Sequence, residues 1–196
     1  AAQPAGGGEG GAYDSRRYKF VEKIDYDKLR DFVIYVDQPV KEEPAQGPML
    51  ATVTTTQKDA NFDPPVLAVA AGTTVRWPNE DDIFHNVFSM SQAKQFDLGY
   101  YKKEKTPEIV FERPGLVDVF CAIHSKMHCI VLVTPNRFFA KTDARGHFAL
   151  PELPAGTYKV TAWHERLPMK TMEVTVPATG EVRVDFVLSL GDLPKY

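Results

Sequence analysis

An all-β fold, arranged as an antiparallel sandwich or barrel, is what this 196-residue sequence predicts. Three observations carry the prediction. Short runs of β-branched and aromatic residues recur along most of the chain, which suits a pleated, half-buried surface. Gly, Pro, Asn or Asp bounds each run, so the chain turns before a run outgrows a strand. Only one stretch, near the N-terminus, has apolar residues at helical spacing.

In chain order, residues 1–15, "AAQPAGGGEGGAYDS", read as a Gly-rich polar tether that should be disordered. Small residues of this kind are common just after a signal-cleavage site, so an exported, processed protein is expected. "RRYKFVEKIDYDKLR" (16–30) sets Phe20, Val21 and Ile24 at helical spacing and predicts a short amphipathic arm. From Asp31 the pattern changes to strands. "DFVIYVD" comes first, then a surface loop, "QPVKEEPAQGP", then "MLATVTTTQ", "VLAVAAGTTVRW", "HNVFSM", "EIVFE" and "LVDVFCAI". After "IVLVTPN" the texture shifts, and about five further strand patterns follow, with "TDARG", "LPAG" and "PATG" as turns. A boundary near Pro135–Asn136 divides the chain into a tail (1–30), a first β unit (31–135) and a second (136–196). So short a join predicts that the two units pack together.

Composition excludes several classes. Hydrophobic content of 43% and charged content of 25% are those of a globular protein with a real core. A net charge of -3 provides no basic field for nucleic acid. No run approaches the roughly 20 apolar residues of a membrane span. The sequence shows no nucleophile with a positioned base, no paired carboxylates and no phosphate-cradling Gly loop. An enzyme is not expected.

The chemistry concentrates in "FCAIHSKMHCIVLV" (120–133), which holds both cysteines of the chain, Cys121 and Cys129. Cys121, His124 and Met127 form a C-x2-H-x2-M pattern between two strand patterns, where a tight loop can turn three side chains onto one point. Thiolate, imidazole and a distant thioether, with a second His, are the donors of a blue-copper site. His85, opening "HNVFSM", supplies that second His. A thiolate–imidazole set also suits Zn²⁺. A Cys121–Cys129 disulfide would leave His124 and Met127 unexplained. Strand alternation puts Cys129, Val131 and Val133 on one face and Ile130 and Leu132 on the other, so Cys129 reads first as a packed strand residue and His128 as a surface histidine. His147 reads as exposed and His164 as a packed rim residue beside Trp163. "NEDD" (79–82) reads as an acidic patch or a polar turn, and "YYKKEKTP" (100–107) as a docking loop or a solvated one.

His85-Asn86-Val87 followed by C-x2-H-x2-M resembles the cupredoxin family (its amicyanin- and plastocyanin-like blue-copper domains), and the short ligand loop is most similar to that of the amicyanin-like members. "FDPPVLAVAAGTTVRWPNEDDIFHNVFS" is similar to the family's usual approach to the first His. The resemblance covers residues 31–135 and implies a Greek-key β-sandwich holding one copper ion per chain. It implies equatorial ligands His85, Cys121 and His124, an axial Met127, and a loop-bridging role for Asn86. A one-electron carrier follows, exported to the periplasm or beyond, serving redox partners such as a c-type cytochrome or a dehydrogenase. Phe84 stands where these proteins often have Pro, and Cys129 sits where plastocyanin-type loops carry the axial Met. Met127 and Cys129 therefore both stand as axial residues, and a storage, delivery or sensing protein that recruits Cys129 or His128 is the alternative. "ARGHFALPELPAGTYKVTAWH" resembles the carboxypeptidase regulatory-like (transthyretin-like) sandwich through Asp143, Gly146, Phe148, Leu150, Leu153, Gly156, Tyr158 and Val160. That resemblance implies a smaller, non-catalytic β-sandwich after the first.

Overall fold

The alternation of β-branched and aromatic residues becomes hydrogen-bonded strand wherever a neighbour is available to complete the ladder. The computed structural model describes residues 25–40 and 52–192, and it is all-β there apart from 3-10 turns at Tyr26–Lys28 and Leu190–Asp192. The tail expected at 1–15 and most of the "QPVKEEPAQGP" loop lie outside the described residues. So does most of the helical arm, whose described end is the turn at Tyr26–Lys28.

One sheet of five strands runs in the order β5 (Val66–Ala70), β11 (His128–Thr134), β10 (Gly115–Phe120), β7 (His85–Ser91), β8 (Lys94–Tyr101). β5 lies parallel to β11, and the other pairs are antiparallel. A second sheet holds β2 (Thr52–Thr54), β6 (Thr73–Arg76) and β9 (Glu108–Phe111), and a hairpin joins β3 (Thr56–Lys58) to β4 (Asn61–Asp63). Val75 and Phe111 from the second sheet, with Trp77 just past β6, pack with Val87, Val117, Val119, Val131 and Val133 from the first in one buried core. Cys121, Met127 and Cys129 extend that core to the end of the sandwich that carries the metal-ligand candidates.

A further antiparallel sheet has the order β12 (Phe139–Lys141), β1 (Val33–Val36), β13 (Gly156–His164), β14 (Leu167–Val176). β1, in the "DFVIYVD" run that the sequence groups with residues 31–135, pairs here with strands from beyond residue 136. The reason lies in its two faces. Ile34 and Val36 join the core of this sheet with Phe138, Tyr158, Val160 and Val174, while Val33 and Tyr35 face the other way. A strand apolar on both faces needs a layer on each side, and here the second layer is the five-stranded sheet. Val33, Tyr35 and Trp163 pack against Val66, Ile130 and Leu132 there, and each is buried. Burying such a side chain contributes about 1.5–3 kcal/mol relative to leaving it exposed, so the shared layer holds the two halves together. β11 is likewise buried on both faces, with Cys129, Val131 and Val133 in one core and Ile130 and Leu132 in the shared layer.

Of the about five strand patterns expected after residue 136, three strands form among the described residues. Around "HFAL" and "VRVDFVLSL" the chain is outside any ladder, yet Phe148, Leu150, Val184, Phe186 and Leu188 still pack on the core of β12–β14. Their alternation suffices to bury one face; the backbone pairing that would make them strands is not formed.

Candidate metal centre

The β10–β11 pair is in register up to Phe120↔His128, so residues 121–127 form the connecting loop. The Cys121 N–H donates to the Met127 carbonyl (3.3 Å) and the Met127 N–H to the His124 carbonyl (2.9 Å). These two bonds fold the loop back on itself and turn Cys121 and His124 to the same side. β7 lies next to β10 in the sheet, and its first residue, His85, reaches the loop from the neighbouring strand.

The outcome is three donor atoms from two segments. His85 Nδ1 lies 3.0 Å from His124 Nδ1, and Cys121 Sγ lies 3.6 Å from His124 Nδ1. All three donor atoms fall within 4.8 Å of one another. Three donors around one ion at about 2.0–2.3 Å stand roughly 3.5 Å apart, so the set fits a metal ion with little rearrangement. His85 is fully buried, Cys121 is buried, and His124 is half-buried. Two imidazoles and one thiol of this kind match a soft or borderline metal, copper or zinc, and not a hard cation.

Asn86 ties the segments together. The Ala122 N–H donates to its Oδ1 (3.3 Å), while its Nδ2 donates to Asp97 Oδ1 (2.7 Å) and to the Gly99 carbonyl (3.2 Å). Its backbone N–H donates to Cys121 Sγ (3.4 Å), a further tie between the two segments. The β7–β8 register slips between Asn86 and Phe88, leaving an extra residue in β8, and Gly99 adopts φ +67° in that bulge. The bulge re-aims the backbone so that Gly99 can accept from Asn86.

Asp81 grips the other edge of His85. Its Oδ2 lies 2.7 Å from His85 Nε2 and accepts the Ala60 N–H (2.9 Å), and its Oδ1 accepts the Asp59 N–H (2.8 Å). Asp59 and Ala60 form the turn between β3 and β4, with φ of 51° and 52°. Burial works to raise the Asp81 pKa, but the bonds from Ala60, His85 and Asp59 outweigh it and hold the carboxyl below its ordinary value. Within the same loop, Asn79 Oδ1 accepts the Asp81 N–H, and Asn79 Nδ2 donates to the Ile83 and Tyr101 carbonyls.

The remaining sequence candidates fall as follows. Met127 is buried beside Cys121 and Cys129 in the core. Cys129 is free, as is Cys121, so no disulfide joins them. Burial pushes the Cys129 thiol well above its ordinary pKa, with Asp118 adding to the shift, which leaves it a neutral packing group. His128 stacks on Phe120 and lies 3.0 Å from the Asp118 carboxylate. Among the described residues the metal-competent group contains neither Cys129 nor His128. His147 is exposed, and His164 is buried against Phe32. "NEDD" is a built loop, with Asn79 and Asp81 turned inward and Asp82 exposed in an ion pair with Lys103. In "YYKKEKTP", Tyr101 is buried and unavailable to a partner: its hydroxyl donates to the Trp77 carbonyl (2.8 Å) and accepts from Gln57 Nε2 (2.6 Å).

In the sequence "NEDD" reads as an acidic patch or a polar turn, with no part in the metal centre for Asn79 or Asp81, and nothing there singles out the Gln57–Tyr101 brace. A carboxylate four residues before His85 was the available signal, but its meaning depends on a turn about twenty residues upstream.

Residues 130–189 match the carboxypeptidase regulatory-like domain family, which is under a third of the chain. No curated protein matches. Solved structures similar to this chain include an amicyanin mutant in the Cu(I) state, at 25% identity and TM-score 0.40, over 42% of this chain and 81% of that one. A purple cupredoxin from Nitrosopumilus maritimus is 24% identical with TM-score 0.38, over 42% of this chain and 99% of that one. A Cu-containing nitrite reductase from Thermus scotoductus is 28% identical with TM-score 0.41, over 49% of this chain and 25% of that one.

Proposed function

We propose that His85, Cys121, His124 and Met127 would hold one copper ion in this chain, and that the chain carries single electrons between redox partner proteins. The observation that supports this most is the convergence of two imidazole nitrogens and one thiol from two separately braced segments. Bound copper supplies a one-electron couple. The chain's own residues hold the donor set against rearrangement: Asn86 clamps the loop of 121–127 to β7 and β8, and the pairing of β10 with β11 fixes the ends of that loop. A donor set that need not move keeps the cost of changing oxidation state small.

His85 and Cys121 are closed to solvent, whereas His124 is half-buried, so His124 is the port for the electron. Phe84 and Ile123, chain neighbours of the two histidines, are about half exposed at 52% and 49%. Exposed apolar residues beside such a port suit brief docking of a redox protein, such as a c-type cytochrome or a dehydrogenase. Among the described residues no helix is long and apolar enough to cross a membrane. An exported, periplasmic carrier that is not itself an enzyme is the setting we assign.

The test is a Cu(II) titration followed by visible absorption, with Cys121→Ser and Cys129→Ser alongside. An intense thiolate-to-copper band should saturate at one equivalent, vanish in Cys121→Ser and persist in Cys129→Ser. No band in the thiol-reduced protein overturns the reading and leaves a zinc or structural site. Loss of the band in both variants would replace the carrier with a copper-handling protein that uses Cys129.

A further inference from the structure

We propose that Asp81 is a positioning residue for His85: it holds the ring as the Nε2–H tautomer, presents the Nδ1 lone pair to the metal, and biases the site toward Cu(II). The inference rests on the copper reading above for its last clause only. His85 has one nitrogen in the donor set and the other 2.7 Å from the Asp81 carboxylate. A carboxylate accepts, so Nε2 must carry the proton, and Nδ1 is then free to donate its electron pair. Metal-bound histidines commonly owe their orientation and basicity to such a partner.

What makes Asp81 more than a chance neighbour is how it is held. Its side chain is 16% exposed and its two oxygens meet three N–H donors, from Asp59, Ala60 and His85. Two of these come from a turn whose residues, neither of them glycine, both sit in the left-handed region. That conformation is disfavoured for Asp and more so for Ala, and it aims consecutive N–H groups at one carboxylate. The β3–β4 hairpin thus serves as a bracket for Asp81, and Asp81 as a bracket for His85. The same logic orders the metal-free site. With His85 as the Nε2–H tautomer, the 3.0 Å contact between the two Nδ1 atoms requires His124 to be the donor.

A negative carboxylate behind an imidazole makes the ring a stronger donor and favours the more highly charged ion. Asp81→Asn removes the charge and leaves one acceptor oxygen for three N–H groups. Because the hairpin could loosen with it, Ala60→Gly, which relieves the positive φ, is made alone and together with Asp81→Asn.

The first readout needs no metal: ¹⁵N–¹H long-range correlation spectra of the histidine rings. The unsubstituted protein and Ala60→Gly should show His85 as Nε2–H and His124 as Nδ1–H, and the double variant should lose the single His85 tautomer. His85 found as Nδ1–H in the unsubstituted protein overturns the proposal, whatever copper does. The second readout is the ratio of Cu(II) to Cu(I) affinity, taken from direct titrations. It should fall about tenfold in the double variant relative to Ala60→Gly, equivalent to a potential about 59 mV more positive for a one-electron couple. An unchanged ratio in a protein that keeps its thiolate band also overturns the proposal. A missing band in every protein instead removes the copper reading, and the ring spectra alone then decide whether Asp81 orients His85.

Discussion

Removing the Asn86 side chain should loosen the site and lower the stability of the metal-free protein together. Three bonds are lost in Asn86→Ala. The donor bond to the Gly99 carbonyl, from a residue only 2% exposed, contributes about 1 kcal/mol. The bond to Asp97 is short at 2.7 Å, but the carboxylate is exposed and screened, so about 0.5 kcal/mol is appropriate. Losing the Oδ1 acceptor strands the part-buried Ala122 N–H at about 1–2 kcal/mol. The sum is about 3 kcal/mol, and for a chain of this size each kcal/mol moves Tm by about 2–4 °C. Scanning calorimetry of the metal-free protein should therefore show a fall of about 6–12 °C. Asn86→Asp should be no better, because it keeps the acceptor for Ala122 but sets a second carboxylate against Asp97. Metal affinity should drop about 10- to 100-fold with the clamp gone. A Tm change under about 2 °C for Asn86→Ala would refute the claim that these bonds hold the two ligand segments together.

Other outcomes follow from different parts of the molecule. Gly115→Ala should destabilise by about 2 kcal/mol in urea titrations, because Gly115 has φ +142° and an added Cβ would lie 2.9 Å from the Ala93 Cβ. Trp163→Ala opens the layer between the two halves, should cost about 3–5 kcal/mol, and should split a single calorimetric transition into two. Cys129→Ala should leave the copper spectrum in place, whereas Cys129→Ser should cost about 1–3 kcal/mol in chemical denaturation by burying a hydroxyl. His164 has a lowered pKa, chiefly through burial, with the bond to the Arg30 backbone and the charges of Glu165 and Asp31 opposing and Arg166 adding. Its neutral ring accepts the Arg166 N–H at Nδ1 (3.1 Å). The unfolded chain thus binds the proton more readily, so the stability His164 confers is full above about pH 6.5 and is lost as pH falls below it toward the folded-state value. Denaturation at pH 7.5 and 5.5 should show that loss, and His164→Gln should flatten it.

Much of the fold was legible because strand formation and burial leave a local trace. The alternation along Cys129–Val133 assigns each side chain to a face, and the structure puts the odd positions in one core and the even ones in the shared layer. That Cys121 and His124 lie close together was legible because one short loop carries both. His85 was legible only as a histidine opening a strand pattern that could complete the donor set, since nothing local to "HNVFSM" says which strand it will adjoin.

The rest depended on pairings far apart in the chain. "DFVIYVD" announces a strand apolar on both faces but not its neighbours. β13, which it joins, lies more than a hundred residues on, and hydrophobic periodicity has no memory over that distance. Phe186 and Leu188 carry a strand's alternation and pack accordingly, yet whether a ladder forms depends on a partner edge being available. Asp81 is the sharpest case: read locally it is one acid among several in "NEDD", and only the β3–β4 turn folding against it makes it the anchor of His85. Sequence by itself determined the all-β class, the alternation of faces and the donor types that the loop of 121–127 carries, because these reside in residue type and spacing. Tertiary structure alone decided which sheet took β1, which atoms met at the site and what stands behind each of them, because those follow from contacts that only the folded chain brings together.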